Sequence, residues 1–229
     1  MKDGSGETPA AAATTLQNAQ TGADLARAVR HYDQLAPSYD YATRRIDGVR
    51  ARAIAALALQ PGDIVLDAGC GTGFCFPMIE AAIGPSGKLI GIEPSPAMLA
   101  RAQGRVNDAG WSNVTLLNSS GEAAELPAAP NAILFSYTHD LIRSRAGLDN
   151  LFGQSQPGAR IAAAGTQLFP RWFFPGNWYL YYSHRHYITN FESFDAPSEI
   201  LGSYLREFSV GREFPGERYL ARGRLPERR

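Results

Sequence analysis

At 229 residues the chain has the size of one domain with a single well-buried core. Its 22 basic and 22 acidic side chains leave it neutral, so composition carries no general attraction to nucleic acid or an anionic membrane. No stretch reads as a secretory signal or a membrane span, which predicts a cytoplasmic protein. The two cysteines, Cys70 and Cys75, match neither a zinc spacing nor a disulfide framework.

Residues 1–22, rich in Ala, Thr and Gly, read as a disordered tail ahead of one domain over 23–229. Asp24 to Tyr41 predicts one or two short helices broken at Pro37, and Ile46 to Leu59 a further helix stopped by Gln60-Pro61-Gly62. Strands and helices then alternate. Strand Ile64 to Asp67 leads to helix Phe74 to Ile83, strand Leu89 to Ile92 to helix Pro96 to Val106, and strand Val114 to Leu117 follows. Strand Ala132 to Tyr137 leads to helix Asp140 to Phe152, and a turn at Pro157-Gly158 to strand Arg160 to Ala164. This alternation implies an α/β domain whose parallel sheet is covered on both faces. Ser198 to Glu207 predicts a last helix, and Phe208 to Phe214 with Arg218 to Arg224 an antiparallel hairpin around Pro215-Gly216.

The most informative stretch is Val65-Leu66-Asp67-Ala68-Gly69-Cys70-Gly71-Thr72-Gly73. An apolar strand reaches an acid, then three glycines at alternate positions, then a helix. Glycine lets a ligand lie directly on the backbone, and such a turn at the switch point of an α/β sheet binds cofactors. A dinucleotide fingerprint needs its third glycine where this chain has Phe74. The G-x-G-x-G pattern behind an acid instead resembles motif I of the class I S-adenosylmethionine (SAM)-dependent methyltransferases. That resemblance implies SAM as cofactor, with its methionine half held by Asp67, Gly69, Gly71 and Gly73. It also implies a doubly wound, mostly parallel seven-stranded sheet ending in an antiparallel hairpin.

Glu93 follows Gly73 by twenty residues at the end of the second strand, close to the interval at which such folds bind a ribose diol. The resemblance implies that it grips both ribose hydroxyls, with Met98 as an adenine neighbour. Gly121-Glu122 ahead of Leu126-Pro127 resembles the segment whose acid receives the adenine amino group, with Ser119-Ser120 as an alternative register. His31-Tyr32-Asp33 through Tyr39-Asp40 resembles the Tyr-Asp…Ala…Tyr-Asp segment of the ubiquinone/menaquinone-biosynthesis C-methyltransferase group. There a tyrosine closes over the SAM amino-acid end, which nominates Tyr32 or Tyr39.

The fourth strand ends in Ser136-Tyr137-Thr138-His139-Asp140, facing the space where transfer would occur. Ser136 is assigned to the cofactor and Tyr137 to the acceptor. His139, with an ordinary pKa of about 6.5, is the candidate catalytic base, and the resemblance puts a histidine near here in many relatives. The alternative has Thr138 or Asp140 capping the next helix and His139 packing beneath SAM.

Ten of the chain's 24 aromatic residues lie between Phe169 and Phe191. Residues 167–192 are read as an acceptor lid, with Trp172, Trp178, Tyr179 and Tyr182 as its wall. That reading is preferred to a dimer interface or a membrane-surface contact. His184 and His186 complete no metal spacing with Glu192 or Asp195, so no metal is expected.

The expected function is methyl transfer from SAM to a small, aromatic or hydrophobic molecule. The alternatives are a phospholipid or membrane-surface methyltransferase, and a SAM-binding protein that transfers nothing. A nucleic-acid acceptor is disfavoured by neutrality and by the lack of an Asn/Asp-Pro-Pro-Tyr/Phe motif.

Overall fold

Five short apolar runs build the parallel part of one seven-stranded sheet, and the chain's last two strands complete it. The structure, a computed structural model, describes residues 26–37, 39–40, 46–169, 173–184, 196–213 and 216–227. The expected tail over 1–22 lies outside the described residues. In chain order the elements begin with α1 (26–35), α2 (Asp47–Ala56), β1 (Ile64–Ala68), α3 (Phe76–Ile83) and β2 (Lys88–Ile92). They continue with α4 (Pro96–Ala109), β3 (Val114–Leu117), β4 (Ala132–Ser136), α5 (Arg145–Gly153) and β5 (Arg160–Thr166). The last are α6 (Phe174–His184), α7 (Glu199–Gly202), β6 (Arg206–Glu213) and β7 (Arg218–Arg224).

The strand order is β3-β2-β1-β4-β5-β7-β6. Strands β1 to β5 are parallel, and β7 runs antiparallel to both β5 and β6. The order reverses between β1 and β4, which opens a crevice at their carboxyl ends. Successive strand residues point to opposite faces, so each strand feeds two cores. Val65, Leu89 and Leu134 pack with Ile54, Phe76 and Val106 on one face. Leu66, Ile90, Ile133 and Phe135 pack with Leu148, Leu151 and Tyr219 on the other. Both faces are therefore buried, as parallel sheets require.

Local signals set the helix ends. In α4, Ser95 Oγ accepts Met98 N–H, Pro96 opens the first turn, and Gly110 at φ 68° closes the helix. Where the expected boundaries shift, a cap or a backbone kink is the cause. The helix expected from Asp140 splits into a 3₁₀ turn at Leu141–Arg143 and then α5. Ser144 is extended at φ −84° and ψ 104°, and its side chain caps Gly147 N–H. Neither Thr138 nor Asp140 serves as that cap. The helix expected from Phe74 starts at Phe76, because the glycine turn runs on through Cys75. The helix expected over Ser198–Glu207 shortens to α7, since Glu207 takes φ 52° and a bulge between Arg206 and Ser209 opens β6.

The opposite end of the sheet from the crevice is clamped by polar groups. Asp63 accepts Gln60 N–H, Asn131 Nδ2 at 2.9 Å and Arg160 Nη2 at 2.6 Å. Asn131 Oδ1 in turn accepts Ile64 N–H at 3.0 Å, so three strands share one bonded cluster. No helix among the described residues is long and apolar enough to cross a membrane.

Candidate active site

The glycine turn sits at the crevice. Gly69 and Cys70 each donate a backbone N–H to Ile92 O at 2.9 Å, tying the turn to the end of β2. Gly69, Gly71 and Gly73 have φ of 79°, 55° and 73°, the left-handed region that glycine occupies freely. A Cβ on Gly69 would collide with Thr138, and one on Gly73 would stand 2.7 Å from the Phe76 ring. Gly71 is different: among the described residues nothing lies within 4 Å of its would-be Cβ. There the main chain is bare toward open space.

Glu93 closes one side of the turn. Its Oε2 accepts Gly71 N–H at 3.0 Å and its Oε1 accepts Ser95 N–H at 2.8 Å. Each oxygen keeps a further lone pair. Burial pushes the Glu93 carboxyl up to about 7, against the two backbone bonds that lower it. Asp67, 1% exposed, has both oxygens without a hydrogen-bond partner among the described residues. Burial pushes it up to about 7 as well, with Arg50 lowering it and Glu93 raising it. A buried carboxylate without a donor costs free energy. A cationic ligand is the group that would offset this.

Arg50 supplies the nearby positive charge and carries no signal in the sequence. It is 4% exposed, pairs with Asp47 at 3.2 Å, and its guanidinium lies 4.8 Å over the Phe74 ring and 6.0 Å from that of Tyr137. Phe74, read above only as a missing glycine, is thus a platform for this cation and for Arg105 at 5.2 Å.

The carboxyl end of β4 faces the same space. Tyr137 takes φ 61°, which a non-glycine residue holds at a cost of about 1–3 kcal/mol. Its hydroxyl and that of Thr138 are buried without partners among the described residues. Burial raises the Tyr137 phenol to about 12, against the lowering effects of Arg218 and Arg50. Ser136 lies beside the Cys75 thiol, whose pKa burial pushes up. His139 meets Tyr137 edge-on at 6.2 Å, and its Nε2 accepts Thr166 N–H at 3.4 Å. A backbone N–H only donates, so the neutral imidazole carries its proton on Nδ1. A Cβ on Gly165 would stand 2.7 Å from His139 Cε1, so that glycine makes room for the ring.

The amino-terminal segment is fastened over the turn by its aspartates. Asp33 Oδ1 accepts Ser95 Oγ–H at 2.5 Å and Ala97 N–H at 3.2 Å, placing an anion at the start of α4. Asp40 accepts the Thr72 hydroxyl at 2.5 Å and pairs with Arg105. Tyr32 and Tyr39, half-buried between these anchors, meet edge-on at 6.3 Å. Burial raises both phenols, with Glu93 among the charges acting on each. Asp33 and Asp40, each next to one of these tyrosines, carry the bonds that fasten the segment.

An open cleft of about 550 Å³ lies between α1 and the ends of β2 and β3, lined by Val29, Arg30, Pro94, Asn118, Ser119 and Ser120. Ser119 and Ser120, the alternative register, border it. Glu122 does not: its Oε1 accepts Ser144 Oγ–H at 2.5 Å, and Gly121 O accepts Asn150 Nδ2–H at 2.9 Å. The pair expected at adenine thus holds the loop before β4 against the start of α5. Met98 is 1% exposed beneath the first turn of α4.

A methyltransferase-domain family matches residues 65–154. The demethylmenaquinone methyltransferase of Listeria welshimeri is 30% identical over 211 residues, spanning 83% of this chain and 82% of that protein. The chain belongs to the class I SAM-dependent methyltransferases. The Anoxybacillus flavithermus demethylmenaquinone methyltransferase is 28% identical over 201 residues, covering 83% of this methyltransferase and 79% of its own length. Among solved structures, N-methyltransferase NodS from Bradyrhizobium japonicum with bound S-adenosyl-l-homocysteine matches with a TM-score of 0.61 at 17% identity. That match covers 87% of this methyltransferase and 99% of NodS, and it supports the fold.

The residues present fit SAM: an unpartnered buried acid, a bare glycine backbone and a carboxylate with spare lone pairs surround one space. Trp178, Tyr179 and Tyr182 on α6 are 73%, 68% and 59% exposed. Trp172, with Tyr187 and Phe191, lies outside the described residues. Among the described residues assigned to the acceptor, Tyr137 borders the site.

Proposed function

We propose that this methyltransferase acts on a small aromatic acceptor of the quinol type. One observation carries the reading: among the described residues the buried Asp67 carboxylate and Tyr137 hydroxyl have no hydrogen-bond partner, and His139 meets the Tyr137 ring edge-on. The demethylmenaquinone methyltransferases among the relatives support a hydrophobic ring as acceptor.

SAM supplies an electrophilic methyl on a cationic sulfur, which needs an aligned nucleophile roughly 3 Å away. Asp67 offers its carboxylate to the cationic methionine end. Arg50 lowers the cost of keeping that carboxylate ionised and is the charge suited to the methionine carboxylate. Glu93 has lone pairs left for the ribose hydroxyls, and Pro94 with Ser119 and Ser120 border the cleft suited to adenine. On the acceptor side, Nδ1–H of His139 donates to the acceptor oxygen and holds the ring in line. Tyr137, kept neutral by burial, donates from its hydroxyl to the same pole. His139 would act as a base through Nε2 only by releasing Thr166.

Incubation of the purified protein with SAM and a short-chain demethylmenaquinol tests the reading. The expected result is S-adenosylhomocysteine and a quinol heavier by one CH₂. Transfer to phosphatidylethanolamine with the quinol untouched would move the acceptor to the phospholipid class, and SAM binding without either product would overturn transfer altogether.

A further inference from the structure

Helix α6 wears its polarity inside out. Asn177 fixes its start, accepting Phe169 N–H at 2.7 Å and donating to Phe169 O at 3.1 Å. Gly176 and Leu180 are the buried ones among its described positions. On the opposite side Phe174, Trp178 and Tyr182 recur every fourth residue, along one face, and are 74%, 73% and 59% exposed. Trp178 and Tyr182 stack at 6.2 Å and 19°, and Tyr179, 68% exposed, widens the stripe. Single exposed apolar residues need no explanation, but a contiguous aromatic stripe marks an interaction site.

We propose that this outward face of α6 docks on the headgroup region of an anionic lipid bilayer. Charge selects the occupant. Residues 167–191 contain no Asp or Glu but include Arg171, Arg185, His184 and His186, in a chain that is otherwise balanced. A cationic, aromatic-rich stretch is complementary to an anionic surface. Rings with an apolar body and a polar tip, as in Trp178, Tyr179 and Tyr182, partition to the boundary between headgroups and acyl chains. Area argues against a second copy of the chain. The exposed part of the four rings amounts to roughly 550 Å² at about 150–250 Å² per ring, short of the ~800 Å² per partner that a stable interface buries. The docking stands on the exposed rings of α6 and on the charge of the sequence that flanks it. Its benefit to catalysis, access to an acceptor dissolved in the bilayer, rests on the quinol reading above.

Sedimentation of the full chain with phosphatidylcholine vesicles, with and without phosphatidylglycerol, tests the proposal. The protein is expected to pellet with the phosphatidylglycerol vesicles and to be released in part by salt. A Trp178→Ser/Tyr182→Ser double variant is expected to lose binding by about tenfold or more while its SAM affinity, read by calorimetry, is retained. Wild-type protein left in the supernatant with both vesicles overturns the proposal, as does equal binding by the double variant. Equal binding to both vesicle types overturns the anionic assignment. A dimer in light scattering that the double variant converts to monomer, with no vesicle binding, hands the face to a second copy. Vesicle binding by protein that fails to take up SAM leaves docking intact and strikes only the function proposed above.

Discussion

The Asp40 carboxylate accepts the Thr72 hydroxyl at 2.5 Å, joining residues 32 positions apart. Thr72 lies inside the glycine turn, and Arg105 closes the arrangement by pairing with Asp40 and donating from Nε to Thr72 O at 2.9 Å. The amino-terminal segment is thus buttoned to the glycine turn, and opening of the segment is expected to accompany donor release. Asp40→Ala is expected to weaken SAM binding by about 1–2 kcal/mol, the usual worth of charge-assisted bonds that are not fully buried. Stopped-flow measurement should find the loss mainly in the dissociation rate. An unchanged rate would detach the segment from donor binding.

Glu93→Ala removes the carboxylate from Gly71 N–H and Ser95 N–H together with its free lone pairs. SAM affinity is expected to fall by about 1–3 kcal/mol, measured by calorimetry. Unaltered affinity would take Glu93 out of the site.

The site also predicts a pH dependence with a definite sign. Asp67 and Glu93 both rise to about 7 in the folded protein, above ordinary values of about 4. Groups raised in this way contribute stability that is fully present below the unfolded pKa and is lost as pH climbs through about 7. The ligand-free protein should therefore melt at progressively lower temperature between about pH 4 and 7 from these two groups. Cationic SAM favours the ionised forms, so its affinity should increase from pH 6 to 8, and binding near pH 7 should release protons into the buffer. Asp67→Asn should raise the Tm of the ligand-free protein at pH 8, by roughly 2–4 °C per kcal/mol recovered, while lowering SAM affinity. Calorimetry in buffers of different ionisation enthalpy reads the proton count, and a pH-independent affinity would contradict the assignment.

His139 separates two chemistries by one pair of variants. If Nδ1–H positions the acceptor oxygen, His139→Asn keeps a donor and should retain much more turnover than His139→Ala, with SAM affinity alike in both. If the ring acts as base, both variants should lose turnover about equally, by roughly 10²–10⁴-fold. Full activity in His139→Ala would remove the residue from the chemistry.

At the far end of the sheet, Asp63→Ala should destabilise the fold by about 2–3 kcal/mol, because it leaves Arg160, Asn131 and Gln60 N–H without their shared acceptor. Urea unfolding would show this with donor binding intact, and a loss confined to activity would contradict the clamp.

Local order determined much of this protein from the sequence alone. The alternation of apolar runs with helices required a covered parallel sheet, because each strand must bury both faces. The spacing of Gly69, Gly71 and Gly73 behind Asp67 announced a ligand turn, because positive φ and a bare backbone are properties of single residues. Pro96 and Gly110 marked the ends of α4 for the same reason. Tertiary structure decided what depends on partners distant in sequence. Asp33 meets Ser95 across 62 positions and Asp40 meets Arg105 across 65, and no periodicity encodes such pairs. Arg50 reads as one more charged helix residue until folding buries it beside Asp67 and Tyr137. The hydrogen bond from Ser144, which breaks the helix expected from Asp140, to Glu122 Oε1 likewise joins residues 22 positions apart that no local pattern pairs. The aromatics of α6 were visible as composition, but only the packing of Gly176 and Leu180 turned their rings outward, because which face of a helix is buried is chosen by what it packs against.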